Sequence, residues 1–505
     1  MKKIIIPNEK FQQTLIQSID ALFLPSIEKQ SRWLTWLWLL GLFLLGIFLW
    51  GKFFSWNTGP FNYHDWALVT IPRLDLMRDA LSAGTLPFHA ADTTTLLEVS
   101  DRFFVIPDVI TTPQMVLLPF VGINTFIIID VLLNYSIGFL GLLWLRRKKT
   151  LSLFTFTIAF LLFNFNGYIL GHYSVGHFSW GGYFLFPIVF GLLFEFVEKE
   201  EVGWRWVSLF ALSLFYIVLA GGEHHFLWLL LFVFPFCFTT KSWKRAKWII
   251  LACLFAGLLS AVRLIPPALA LSMYQKKQNF NFVLGYPSLG HILQAMIIPT
   301  VPVESLIKPF NLNSFSENIW EFGYYVGVIG VLFILYFGIW HWYKNHLKEY
   351  GSFLLPTVFA LFLALGSNYW LIRETGFPIF GSERVIARLI CVPMTLLILL
   401  AAIFLQRWLD QSYQRPLLIA AGFPALLFLF NDLWENLKLW RLNEYAGYFS
   451  PETLVNIDGN SIANHADPQY FSTLALGLVI SVGTFLFLMF MSWKERRSKQ
   501  NLKDA

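Results

Sequence analysis

Apolar residues along this chain come in long unbroken runs, each roughly 17 to 25 residues, the length of helix that crosses a bilayer's ~30 Å of hydrocarbon. Twelve such spans are read, over about 33–54, 121–145, 152–170, 182–198, 205–220, 225–240, 248–269, 322–341, 352–369, 386–406, 416–432 and 473–493. The polar segments between them alternate in charge. One set holds Arg146-Arg147-Lys148-Lys149, then Lys241 with Lys244, Arg245 and Lys247, and the tail from Lys494 to Lys503. With the N-terminus it carries most of the 37 Lys and Arg but little more than a third of the 31 acidic residues. Cytoplasmic segments are enriched in Lys and Arg, so both termini are expected to be cytoplasmic. The opposite segments then face outward.

Composition agrees with this reading. The 505 residues are 56% hydrophobic and 13% charged, with a mean hydropathy of +0.59, whereas a soluble domain carries about 25% charged residues. The 53 Phe suit lipid contact, and the 21 Trp and 18 Tyr suit the interface. The result is one all-α membrane domain over 1–505, its first run reading as a signal anchor. The formal charge of +6 follows from the basic inner segments and gives no reason to expect nucleic acid. Cys237, Cys253 and Cys391 all lie in apolar runs, with neither metal-ligand nor disulfide spacing.

The inner segments are short, basic and plain, so chemistry is expected outside. Three outer segments are long: 55–112, 271–320 and 433–470. Within the first, Leu68, Ile71, Leu74, Leu76, Met77 and Leu81 approximate a helical stripe, with Arg73, Asp75, Arg78 and Asp79 on the other face. This predicts an amphipathic helix lying in the interface, ended by Gly84-Thr85-Leu86-Pro87.

Six polar groupings could carry chemistry. Asp65, in Asn62-Tyr63-His64-Asp65-Trp66, could take a proton from an acceptor hydroxyl at the membrane surface, or serve as a solvated N-cap. His172 and His177 sit in one short outer segment, Glu223 and His224 in the next. They could line a polar pocket, bind a metal, or merely cap helix ends. Arg263 stands at the outer end of the seventh span, and Arg384 and Arg388 open the tenth. Arginine in a span marks a polar pathway or a paired charge, and two forks at i,i+4 suit a phosphate; snorkelling or pairing with Glu383 is the alternative. Glu317 and Glu321 precede the eighth span, where they could hold a hard cation such as Mg²⁺ or Mn²⁺, or simply favour a helix N-terminus.

In this order, the pieces resemble the YfhO-type bacterial membrane proteins, which belong with the GT-C class of polytopic glycosyltransferases. Asp65 is followed by a helix and the turn from Gly84 to Pro87. Gly176-His177 precedes Trp180 and Pro187, and Gly221-Gly222-Glu223-His224 forms a small-residue turn. Arg263-Leu264-Ile265-Pro266 leads to Ser272, and Trp320-Glu321 to Tyr325 and Gly327. Ala364 to Gly366 precedes the segment from Arg384 to Arg388. Two features depart from the pattern: no proline lies near Arg384, and the last outer segment is short.

The resemblance implies a GT-C-like bundle of the bacterial cytoplasmic membrane with an extracytoplasmic site. It implies inverting transfer of a sugar from a polyprenyl-phosphate donor to an envelope glycan or lipid. Asp65 would be the general base. Arg263, Arg384 and Arg388 would hold the lipid phosphate. His172, His177, Glu223, His224 and Glu321 would line the sugar pocket. No cofactor is required, and Glu317 with Glu321 leaves room for a divalent cation. A transporter of lipid-linked saccharide, or a non-catalytic envelope scaffold, is the alternative reading.

Overall fold

The computed structural model describes residues 32–96, 98–240, 242–268, 283–300, 319–375, 380, 383–411, 415–448 and 461–504. Among them the regular structure is helical, and β pairing is confined to three isolated bridges. A helix satisfies its backbone polar groups within itself, which is what a chain passing through hydrocarbon requires. Among the described residues, seven helices are long and apolar enough to cross a membrane: Trp33–Phe53, Ile123–Lys148, Leu153–Ser174, Phe178–Glu198, Ile319–Ala364, Ile386–Gln411 and Pro468–Gln500. Trp243–Leu259 and Ala261–Ala268, bent by 70°, form an eighth if taken together. Trp204–Leu219 and Glu223–Phe238 are apolar but shorter. The protein is therefore a membrane-embedded bundle of helices.

Ile319–Ala364 contains the eighth and most of the ninth predicted span, and helical geometry changes between them at Leu347–Tyr350 and Gly351–Phe353. The eleventh predicted span lies within the helix Arg415–Trp440. The apolar window of Ile386–Gln411 is entirely buried, and this helix forms the hub, packed against Leu153–Asn164 and Ile334–His346. Trp33–Phe53 and Pro468–Gln500 have only 33% and 22% of theirs buried, so most of their apolar surface faces out of the bundle, as lipid contact demands.

One local break does much to place the candidate chemistry. Asn166 donates from Nδ2 to the carbonyls of Leu162 and Phe163, ending the helix Leu153–Asn164. Its Oδ1 accepts from the Tyr168 and Ile169 amides, starting Gly167–Ser174. A single side chain thus serves as both stop and N-cap, and the second helix carries His172.

The first long polar segment does form a helix, Ile71–Ser82, preceded by a wider turn over Trp66–Thr70. Its expected polar face is open only in part: Asp79 is exposed and Arg78 half-buried. Arg73 is buried and pairs with Asp108 at 2.8 Å, and Asp75 is buried beside Arg78. The sequence pattern placed these charges toward water. Instead, the following residues fold back over the helix and supply partners, which is the condition for burying charge.

Asp130, left inside a span by the sequence, belongs to a closed network. It accepts from Gln114 Nε2 at 2.7 Å and Asn134 Nδ2 at 2.9 Å, while Tyr216 donates to Asn134 Oδ1 at 3.1 Å. Asp130→Ala removes one acceptor from each of these amides, which keep only the Tyr216 hydroxyl and the residue-130 carbonyl, at a cost of about 1–3 kcal/mol. The drop in melting midpoint in detergent should exceed that of Asp130→Asn, which keeps an acceptor.

Candidate functional site

The segment after the first helix is stitched to the end of the helix Gly167–Ser174. Tyr63 donates its hydroxyl to the Ser174 carbonyl at 2.6 Å, and Trp66 donates Nε1 to the same oxygen at 3.3 Å. Thr70 donates to the Gly176 carbonyl at 2.8 Å, and His64 Nδ1 lies 3.2 Å from the Val175 carbonyl. Two backbone features allow this closeness. His64 takes a positive φ of 46°, a region in which His is over-represented. Gly176, at φ 96°, packs directly on the Asp65–Trp66 peptide; a Cβ there would stand 2.3 Å from the Trp66 amide nitrogen. Gly176→Ala is therefore expected to push the two segments apart, weakening any function that needs the Asp65–His177 contact. A hydrogen-exchange map should show the change confined to residues 63–70 and 172–180.

The stitching places Asp65 Oδ2 3.0 Å from His177 Nε2, and His177 Nδ1 2.7 Å from His172 Nδ1. The arrangement is a chain of carboxylate, imidazole and imidazole. His172 is fully buried and stacks on Trp180, with ring centroids 3.9 Å apart and planes 9° from parallel. Asp65 keeps 32% of its side-chain surface exposed, so it forms the open end of the chain. Burial works to raise the Asp65 carboxyl, but the hydrogen bond and charge of His177, supported by His64 and Arg384, hold it down at about 2. Burial lowers His177 below the usual imidazole range despite Asp65. At neutral pH the pair is thus a carboxylate accepting from a neutral imidazole.

Beside this chain, Arg388 and Glu321 form a buried bidentate pair. Trp320 donates Nε1 to Glu321 Oε1 at 3.2 Å, and the Arg388 guanidinium lies 5.3 Å from the Trp180 ring centre. The sequence suggested one helical face for Arg384 and Arg388. The structure shows otherwise, because Ile386–Ile390 is a tight 3₁₀ turn and the residues before it are extended. Leu284 donates to the Arg384 carbonyl at 2.7 Å and accepts from the Ala387 amide at 3.2 Å, pinning that extended segment. Gly285 in turn packs on Gly366, where a Cβ would meet backbone at 2.2 Å, so the turn from Ala364 to Gly366 positions the arginines through a third segment. Arg388 is consequently buried and Arg384 exposed. Arg384 acts electrostatically on both Asp65 and Glu321.

His224 lies 3.0 Å from Glu383 and 3.6 Å from Glu223. Trp228 donates to the same Glu383 oxygen at 3.1 Å. Burial works to raise Glu383, and His224 with Trp228 overcomes it, leaving an ionised carboxylate below its usual range. Glu383, named by the sequence only as an arginine partner, is thus the partner of His224. Its position next to Arg384 was the only signal.

Arg263 is placed differently. Its guanidinium donates to the carbonyls of Phe104, Ile106, Pro107 and Val109 at 2.9–3.3 Å. It holds that stretch of backbone, with Glu223 within electrostatic reach. Glu317 and Ser272 lie outside the described residues. The fold therefore gathers Asp65, His172, His177, Glu321, Arg384 and Arg388 into one polar site, joined through Trp180 and Glu383 to His224. No family model matches the chain, nor does any curated protein or solved structure.

Proposed function

We propose that this protein is an extracytoplasmic membrane glycosyltransferase of GT-C type with twelve spans, transferring a sugar from a polyprenyl-phosphate donor with inversion. The observation that carries the reading is Asp65: an ionised, partly exposed carboxylate fixed by His177 at 3.0 Å, with an exposed arginine, Arg384, in electrostatic reach. In this reading the acceptor hydroxyl loses its proton to Asp65 as its oxygen attacks the anomeric carbon. The bond from that carbon to the phosphate oxygen breaks, and the phosphate leaves with the electron pair. Arg384 neutralises the growing charge.

Binding and base strength are coupled. A phosphate on Arg384 offsets one of the positive charges that help His177 hold Asp65 down, so the donor itself raises the proton affinity of the base. Arg388, engaged by Glu321, positions the pocket wall, and Arg263 supports the backbone below it. His172 and His177 orient Asp65, while Glu223 and His224 line the donor side. The donor's long lipid tail explains why the site belongs in a membrane bundle.

The test is turnover of synthetic polyprenyl-phosphate sugars by the purified protein in detergent or nanodiscs. Release of polyprenyl phosphate together with a glycosylated acceptor supports the assignment. Labelled lipid-linked sugar crossing a proteoliposome bilayer without transfer would replace it with a transporter.

A further inference from the structure

A second cluster, sharing no residue with the Asp65 chain, lies where residues 86–103 meet residues 461–467. These two stretches, far apart in sequence, are pinned by backbone pairing. The Ala90 amide donates to the Asp101 carbonyl at 2.9 Å, the Ala91 amide to Ser461 at 2.8 Å, and the Ala463 amide to His89 at 3.0 Å. Asn464 adds a side-chain clasp, accepting from the His89 amide and donating to the Leu86 carbonyl, both at 2.9 Å. On this frame sit His89, Asp101 and His465, each offering one donor atom, all within 4.8 Å of one another. The two imidazoles stack with centroids 3.9 Å apart.

The hydrogen bonds around His89 fix which of its ring nitrogens is committed. Its ring is fully buried, and Nε2 lies 3.3 Å from Asp467 Oδ2. Asp467 is itself held by Arg102 through bonds of 2.6 and 3.0 Å. With Nε2–H directed to a carboxylate, Nδ1 is a bare acceptor, and it is buried without a hydrogen-bond partner among the described residues. Histidines that ligate metal are commonly oriented in this way, one nitrogen donating to a carboxylate and the other facing the ion. Asp101 and His465, 2.7 Å apart and 38% and 53% exposed, can part to admit an ion between them. Arg102 is committed to Asp467, so its charge is already matched.

We infer that His89, Asp101 and His465 form a binding site for a divalent transition-metal ion, zinc foremost, which clasps the last long polar segment to the first. Two imidazoles and one carboxylate suit zinc at about 2.0–2.2 Å and disfavour the all-oxygen ions Mg²⁺ and Ca²⁺. A water completes the coordination. This site shares no residue with the one proposed for sugar transfer and does not depend on that reading.

The experiment compares the full-length protein with Asp101→Asn and His465→Ala, chosen because both residues are exposed and their replacement spares the core. Each is purified after zinc exposure and desalting, then assayed for zinc by mass spectrometry and for its melting midpoint with added Zn²⁺ or Mg²⁺. The expected result is near-stoichiometric zinc and a zinc-specific rise in midpoint for the native chain, with both lost in each variant. Little zinc and no rise in the native chain would overturn the inference. Equal zinc in all three proteins would also overturn it, by placing the metal elsewhere.

Discussion

Replacing Asp65 with Asn should lower the rate of sugar transfer by about 10²–10⁴-fold, the range of a positioned general base, while the protein stays folded. The amide fits the same space and keeps an oxygen that can accept from His177 Nε2, so the carboxylate–imidazole chain loses its charge but not its geometry. Donor binding should hold or tighten, because the change removes a negative charge near the site of the phosphate. The loss should therefore fall on kcat rather than KM. Equal turnover by Asp65→Asn and the native protein would remove Asp65 from the chemistry.

The same residue sets a pH signature. Its carboxyl is held at about 2, below the ordinary 3.8. The stabilisation from that shift is fully present above 3.8 and is lost as pH falls through about 2. The melting-point gap between the native protein and Asp65→Asn should thus be flat from pH 7 to 5 and close only in strong acid. Any acidic limb in activity between those values belongs to other groups, His177 first. Its value is lowered mainly by burial, so that limb should lie below the ordinary imidazole range.

The largest effect on stability is expected from Arg388. Arg388→Ala leaves Glu321 buried without its bidentate partner, and breaking a buried pair from one side costs about 3–5 kcal/mol. Removing both charges, as in Arg388→Met with Glu321→Gln, should restore much of that stability, because the uncompensated charge disappears. Chemical denaturation of Arg388→Met, of Glu321→Gln and of their double variant reads the coupling directly. If the double variant is recovered in stability yet remains inactive, the pair shapes the pocket as well as the fold. Near-additive losses would mean that Arg388 and Glu321 act independently.

Much of the bundle was legible in the chain because hydrocarbon is an unforgiving solvent. An apolar run of spanning length has few stable states other than a helix, and each predicted span overlaps a helix, though 152–170 is broken between Asn164 and Gly167 and 248–269 bends by 70° after Leu259. Spacing also picked out the polar groups worth following, since charge at a span's end has to be partnered or hydrated. What spacing could not supply was the identity of each partner. Arg384 and Arg388 look like one helical face four residues apart, yet Leu284, a hundred residues earlier, holds Arg384 in an extended segment. Arg388 then finds Glu321, and His224 finds Glu383.

Arg263 and the helix Ile71–Ser82 make the same point from the other side. An arginine near a span end suited a phosphate, but four backbone carbonyls from residues 104–109 reach its guanidinium first. An amphipathic stripe predicted an open polar face, but Asp108 covers Arg73. The sequence by itself determined that the chain is a helical membrane bundle, because hydrophobic length and charge asymmetry act locally and additively along it. Only the tertiary structure decided which partner each charge meets and which charges stay exposed at a site. Those pairings depend on long-range approach of segments, down to single contacts such as Gly176 against the Asp65 peptide, and local pattern carries no record of them.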